Sequence, residues 1–153
     1  WNNSAQKEIK EESKKETEKE ILKEEQERAA KIFHAEETAF LVNGSTVGIL
    51  SAILGSTEKG DRILVARNCH KSVYHAIYMN ELHVDYIYPN YDPEVELNGE
   101  IDPEKVRKKL EENYKSDCEN KIKAVMIVSP TYDGVFLLNW IRKLMLARRL
   151  NFI

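Results

Sequence analysis

Phe40-Leu41-Val42-Asn43-Gly44-Ser45-Thr46 reads as a short apolar strand that runs into a small-residue turn. The strand is expected over Thr38 to Val42, and an apolar helix over Val47 to Leu54 follows it. Such a junction is an anion cradle. A helix N-terminus presents unpaired backbone N–H groups and partial positive charge. Gly44 lets a ligand approach the backbone, and the Ser45 and Thr46 hydroxyls add donors. Phosphate is the expected guest. Alone, the same residues also suit an ordinary strand-to-helix turn with a Ser or Thr cap. They lack the glycine pattern of a dinucleotide fingerprint and the Gly-Lys-Ser/Thr of a Walker loop, so neither NAD nor ATP is expected.

Two loops downstream sharpen this reading. Arg67-Asn68-Cys69-His70-Lys71-Ser72 follows the apolar run Arg62 to Ala66. Ser129-Pro130-Thr131-Tyr132-Asp133-Gly134 follows Lys123 to Val128, a run expected to be a strand buried on both faces. Between them come a helix over Lys71 to Asn80 and a strand over Val84 to Tyr88. A polar loop over Pro89 to Glu100 then leads to a helix that Asp102 caps and Pro103 opens, ending near Tyr114. The order β-α-β-α-β-α-β predicts an α/β protein with a mostly parallel sheet. Ligands of such sheets sit at the carboxyl ends of the strands, where all three loops are expected to open.

His70 is the next candidate. A lone loop histidine is commonly a surface residue, but this one is placed one strand from the cradle. Its ring has the shape to stack on a planar heterocycle whose phosphate lies in that cradle. Cys69 and His70 together supply only two metal ligands, so no zinc site is expected. Either Ser129 or Thr131 hydrogen-bonds ring substituents of the ligand, or Thr131, Tyr132 and Asp133 merely shape a turn built on Pro130 and Gly134.

The ends of the chain differ from its middle. From Lys7 to Arg28, 16 of 22 residues are Lys, Arg or Glu, and Ile9, Ile21 and Leu22 form no heptad seam. Residues 1–20 therefore read as a charged, solvated tail. An amphipathic helix is expected from Ile21 to His34, with Ala29, Ala30, Ile32 and Phe33 available for burial. Residues 136–153 combine Trp140, Ile141 and Leu144 with Arg142, Lys143, Arg148 and Arg149, as in a basic, apolar helix. The net charge of −3 argues against a general nucleic-acid binder. No apolar run approaches the ~20 residues of a membrane helix. Two cysteines make no disulfide framework, no secretory signal is visible, and the cytoplasm is the expected compartment.

Together the Phe40–Thr46, Arg67–Ser72 and Pro130–Val135 segments resemble the major domain of the bacterial ornithine/lysine/arginine decarboxylases. The likeness runs from about Ile21 to Val135. It implies the partial, mostly parallel sheet of the fold-type-I, pyridoxal-phosphate-dependent (aspartate-aminotransferase-like) major domain over 21–135. It implies pyridoxal 5'-phosphate as cofactor. Gly44, Ser45 and Thr46 would hold its phosphate, His70 would stack on its ring, and Thr131 would lie near the ring's exocyclic oxygen. The substrate would be a basic amino acid, the pathway polyamine biosynthesis, and the intact enzyme a homo-oligomer.

The family's major domain also carries an aspartate, on a later strand, that pairs with the pyridine nitrogen. A Ser-x-His-Lys motif then supplies the lysine that attaches the cofactor. Neither is found in these 153 residues, and residues 136–153 diverge from the family pattern. The expectation is a piece of a decarboxylase that is inactive alone and contributes no catalytic residue. The alternatives are a non-catalytic or partner-binding remnant, and a piece of another enzyme of this fold such as an aminotransferase.

Overall fold

A computed structural model of the chain describes residues 20–116 and 119–137. The expected tail over 1–20 and helix over 136–153 lie almost wholly outside those residues, as does Cys118. Two compact units divide the chain, Trp1–Gly44 and Ser45–Ile153.

In the first unit, helix α1 covers residues 20–33. His34 ends it with φ +52°, while Ala35 N–H donates to Ala30 and His34 N–H to Lys31. These are the paired bonds that close a helix on a left-handed residue. Ala30 is buried, whereas Ile32 and Phe33 are exposed, contrary to the expected burial. The expected strand over Thr38 to Val42 does not form either. This segment is irregular, and Val42 is 96% exposed. Its β-prone composition is not enough, because a strand exists only through its ladder partners.

The second unit is built on a three-stranded parallel sheet in the order β2-β1-β5. Its elements are α2 (Gly44–Ser56), β1 (Arg62–Ala66), α3 (Lys71–Met79), β2 (His83–Ile87), β3 (Tyr91–Asp92), β4 (Leu97–Asn98), α4 (Pro103–Lys115) and β5 (Ile122–Met126). Central strand β1 pairs Ile63 with Val84 on one side and with Ala124 on the other. Ile63, Leu64, Val65 and Ala66 are fully buried. Their alternation splits the core. Ile63 and Val65 pack with Ile53 of α2 and with Val73 and Ala76 of α3. Leu64 and Ala66 face the other way, towards Val106 and Leu110 of α4. Each such buried Val, Leu or Ile side chain is worth about 1.5–3 kcal/mol.

Two further expectations need correction. The stretch Pro89 to Glu100 contains a small hairpin, in which Tyr91 pairs with Asn98 and Asp92 with Leu97. The Asp92 carboxylate accepts from Glu94 N–H at 2.9 Å, and Glu96 takes φ +55°, so the turn is closed by short-range bonds. The run Lys123 to Val128 is not buried on both faces. Among the described residues β5 pairs only with β1, and Val125 is 38% exposed.

Local signals fixed the last helix. The Asp102 side chain accepts from Glu104 N–H at 2.9 Å, with Pro103 in the first turn. At the other end, Lys121 Nζ donates to the carbonyls of Asn113, Tyr114 and Ser116, a cation on the helix's negative pole. Asp102→Ala is expected to cost about 1 kcal/mol. Urea denaturation of the two forms checks this through the midpoint.

Candidate functional site

Because β1 and β5 are parallel, their carboxyl ends open at one edge of the sheet. The β1 loop leads through Asn68 and Cys69 to His70, and the β5 loop passes through Ser129 and Thr131. Both contribute to a cleft of about 610 Å³, which Ser45 of α2 also lines. That volume suits a small ligand. Ile49, Val73 and Met126 supply apolar wall, while Ser45, His70, Ser129, Thr131 and Tyr132 supply the polar groups. Among the described residues no carboxylate lines this cleft, and the first turn of α2 carries no acid.

The predicted site residues fall in different places. Ser45, His70 and Thr131 share the cleft. Thr46 lies in the first turn of α2, exposed, and is not part of the cleft wall. Gly44 opens α2 with φ +72°, a conformation that side chains oppose. Space for a Cβ is present there, so the backbone angle alone demands glycine.

His70 is the N-cap of α3, and its Nδ1 accepts from Ser72 N–H at 3.2 Å. Ser72 Oγ lies 2.8 Å from the same nitrogen. The Tyr132 ring stands 6.4 Å from the His70 ring, tilted by 38°. In the β5 loop, Thr131 Oγ1 accepts from Val135 N–H at 3.2 Å and Ser129 Oγ from Leu137 N–H at 3.1 Å. Each hydroxyl thereby shapes the loop and still keeps a hydrogen to donate.

Cys69 and Lys71 flank His70 and do not line the cleft. Burial pushes the Cys69 thiol up to about 11, with a bond at Ala66 offsetting part of that rise. It stays a thiol at neutral pH, a poor nucleophile and a poor metal ligand. Among the described residues no group of three His, Cys, Asp or Glu side chains could hold a metal. Lys71 begins α3 and is exposed. Sequence reasoning missed Ser72 and Tyr132. A serine two residues after a histidine at a helix start is the signal that could have found the first.

The Orn/Lys/Arg decarboxylase major domain, as a family, matches residues 12–146. The chain belongs to this family. An arginine decarboxylase of Bacillus cereus is 35% identical over 114 residues, which is 74% of this chain and 24% of that protein. The constitutive lysine decarboxylase of Escherichia coli is 30% identical over 123 residues, 78% of this chain and 17% of that one. The chain thus spans about a fifth of the length of these decarboxylase relatives. Among solved structures, the SepCysS–SepCysE N-terminal domain complex is similar, with a TM-score of 0.62 and 17% identity. That likeness covers 80% of this chain and 32% of the other. The fold is the partial, mostly parallel sheet of the fold-type-I major domain. Among the described residues no helix is long and apolar enough to cross a membrane.

Proposed function

We propose that this chain is the part of a basic-amino-acid decarboxylase that grips the phosphate and one ring face of pyridoxal 5'-phosphate. The observation that carries this reading is the shared cleft. It joins a helix N-terminus bearing Ser45, the flat ring of His70 and the hydroxyl of Thr131 at one sheet edge. A hydroxyl-rich cleft with no carboxylate among its described residues suits a dianionic, planar group. When bound, that cofactor takes up the electrons released as the substrate's carboxylate leaves as CO₂.

The chain's own residues would bind and orient. Ser45 would donate to the phosphate from the cleft wall and Thr46 from the exposed side of the same first turn, with the backbone N–H groups from Gly44 onward. His70 covers one face of the ring, and Thr131 donates to its exocyclic oxygen. The domain piece is 21–135, with residues 1–20 and 136–153 outside the cofactor-binding part. Arginine, lysine or ornithine as substrate, an assembly of identical chains, the cytoplasm and polyamine biosynthesis belong to the same reading.

Equilibrium binding of pyridoxal phosphate tests it. Hydrogen bonds to charged groups are worth about 1.5–3 kcal/mol each, so Ser45→Ala is expected to weaken binding about tenfold or more. Thr46→Ala acts in the same direction. Pyridoxal without its phosphate should bind poorly to every form. Equal affinity of the double variant and the parent would sink the assignment.

A further inference from the structure

The β5 loop puts a second ring beside His70. Tyr132 lines the cleft, and its ring centroid stands 6.4 Å from that of His70 with the planes tilted by 38°. The backbone that carries it is fixed. Gly134 N–H donates to the Thr131 carbonyl at 3.0 Å, and Thr131 N–H donates to the Val135 carbonyl at 3.0 Å. Gly134 takes φ +80° at the end of this turn. Tyr132 is thus the first central residue of a closed four-residue turn.

The turn accounts for the backbone but not for the side chain. A turn of this kind accepts most residues at that position. Core packing does not account for the ring either, since Tyr132 is 80% exposed. Tyr78, Tyr88, Tyr91 and Tyr114 are exposed as well, but none of them lines the cleft. The spacing decides what Tyr132 can touch. A flat ring held between two others needs two stacking distances of about 3.5 Å, hence about 7 Å between the outer centroids. The His70 and Tyr132 rings are closer than that and are not parallel. Such a pair meets a planar guest on one face and one edge, a geometry that aromatic rings favour.

We infer that Tyr132 is a second ring-contacting residue, packing against the rim of the pyridine ring whose face lies on His70. The inference rests on reading the cleft as a pyridoxal-phosphate site. Thr131 is the chain neighbour of Tyr132, so the rim it meets is the one bearing the exocyclic oxygen. The contact is made through ring carbons, and covering them removes apolar surface from water. Tyr132 therefore adds affinity for the ring and none for the phosphate.

Equilibrium dialysis of the whole chain tests this with two probes. Pyridoxine 5'-phosphate carries the ring and the phosphate but no aldehyde to react with surface lysines, and inorganic phosphate carries no ring. Tyr132→Ala should weaken pyridoxine phosphate about three- to tenfold, as expected for one aromatic contact, and leave inorganic phosphate unchanged. Tyr132→Phe should match the parent with both. The exposed position lets both variants keep the fold, which equal thermal melts verify. In a parent labelled with 3-fluorotyrosine, the ¹⁹F signal that Tyr132→Phe removes should shift with pyridoxine phosphate and stay in place with inorganic phosphate. Equal affinity of Tyr132→Ala and the parent overturns the role of Tyr132 and leaves the cofactor reading standing. Parallel losses for both probes, or Tyr132→Phe as weak as Tyr132→Ala, also overturn the ring contact. A parent that binds pyridoxine phosphate no more tightly than inorganic phosphate overturns the cofactor reading, and this inference with it.

Discussion

Borohydride reduction of this chain in the presence of pyridoxal phosphate is expected to leave Lys71 without a stoichiometric label. The expectation runs against a tempting likeness. Asn68-Cys69-His70-Lys71 imitates the end of the family's Ser-x-His-Lys attachment motif. The imitation fails first in sequence, since Asn68 stands where that motif has serine. It fails again in structure. Lys71 starts α3, is exposed, and does not line the cleft that holds Ser45, His70 and Thr131. A lysine becomes a good nucleophile when it is desolvated or set beside another cation, and an exposed first-turn residue is not desolvated. His70 occupies the capping position, so the next residue leaves the loop on a different heading.

The same geometry predicts that the chain alone does not release CO₂ from lysine, arginine or ornithine. Among the described residues no lysine lines the cleft to capture the cofactor covalently, and no carboxylate lines it to pair with a pyridine nitrogen. Peptide mapping by mass spectrometry after reduction decides the first point. A full label that Lys71→Ala abolishes would overturn the proposed binding-only role. Release of labelled CO₂ decides the second.

The parts legible from sequence are those whose causes are local. Strand β1 was readable because Ile63 to Ala66 form an unbroken apolar run after Arg62, the pattern of a buried strand in a parallel sheet. Helix α4 was readable because Asp102 and Pro103 announce it, and α3 because its apolar residues recur at helical spacing. The cleft was readable in outline, since Ser45, His70 and Thr131 all follow small-residue or proline turns.

What was not legible depends on partners distant in the chain. Phe40-Leu41-Val42 has the composition of a strand, yet no described strand pairs with it. The exposure of β5 follows from having a neighbour on one side only, which its own residues do not encode. The hairpin of β3 and β4 is only two residues deep, too short to leave a period in the sequence.

The one-sided pairing of β5 carries the second large effect: the isolated chain is expected to self-associate. Among the described residues, the far edge of β5 presents backbone donors and acceptors that no strand satisfies. Such an edge is a template for another chain. The side chains do not discourage the contact, because Val125 is 38% exposed and Met126, Ile127 and Val128 are half-buried, with no proline until Pro130. Lys123 is the only charge in the strand, so the edge has little of the protection that natural edge strands carry. Val125 pairs with Leu64, which places it on the α4 face at the rim of that core. A charge there opposes edge-to-edge pairing while leaving the buried residues of β1 in place. Val125→Lys should therefore raise the monomer fraction markedly at a given concentration, and sedimentation velocity across a dilution series reads it directly. A parent chain that sediments as one sharp monomer at every concentration, and melts cooperatively at a temperature independent of concentration, would show that the edge is already covered.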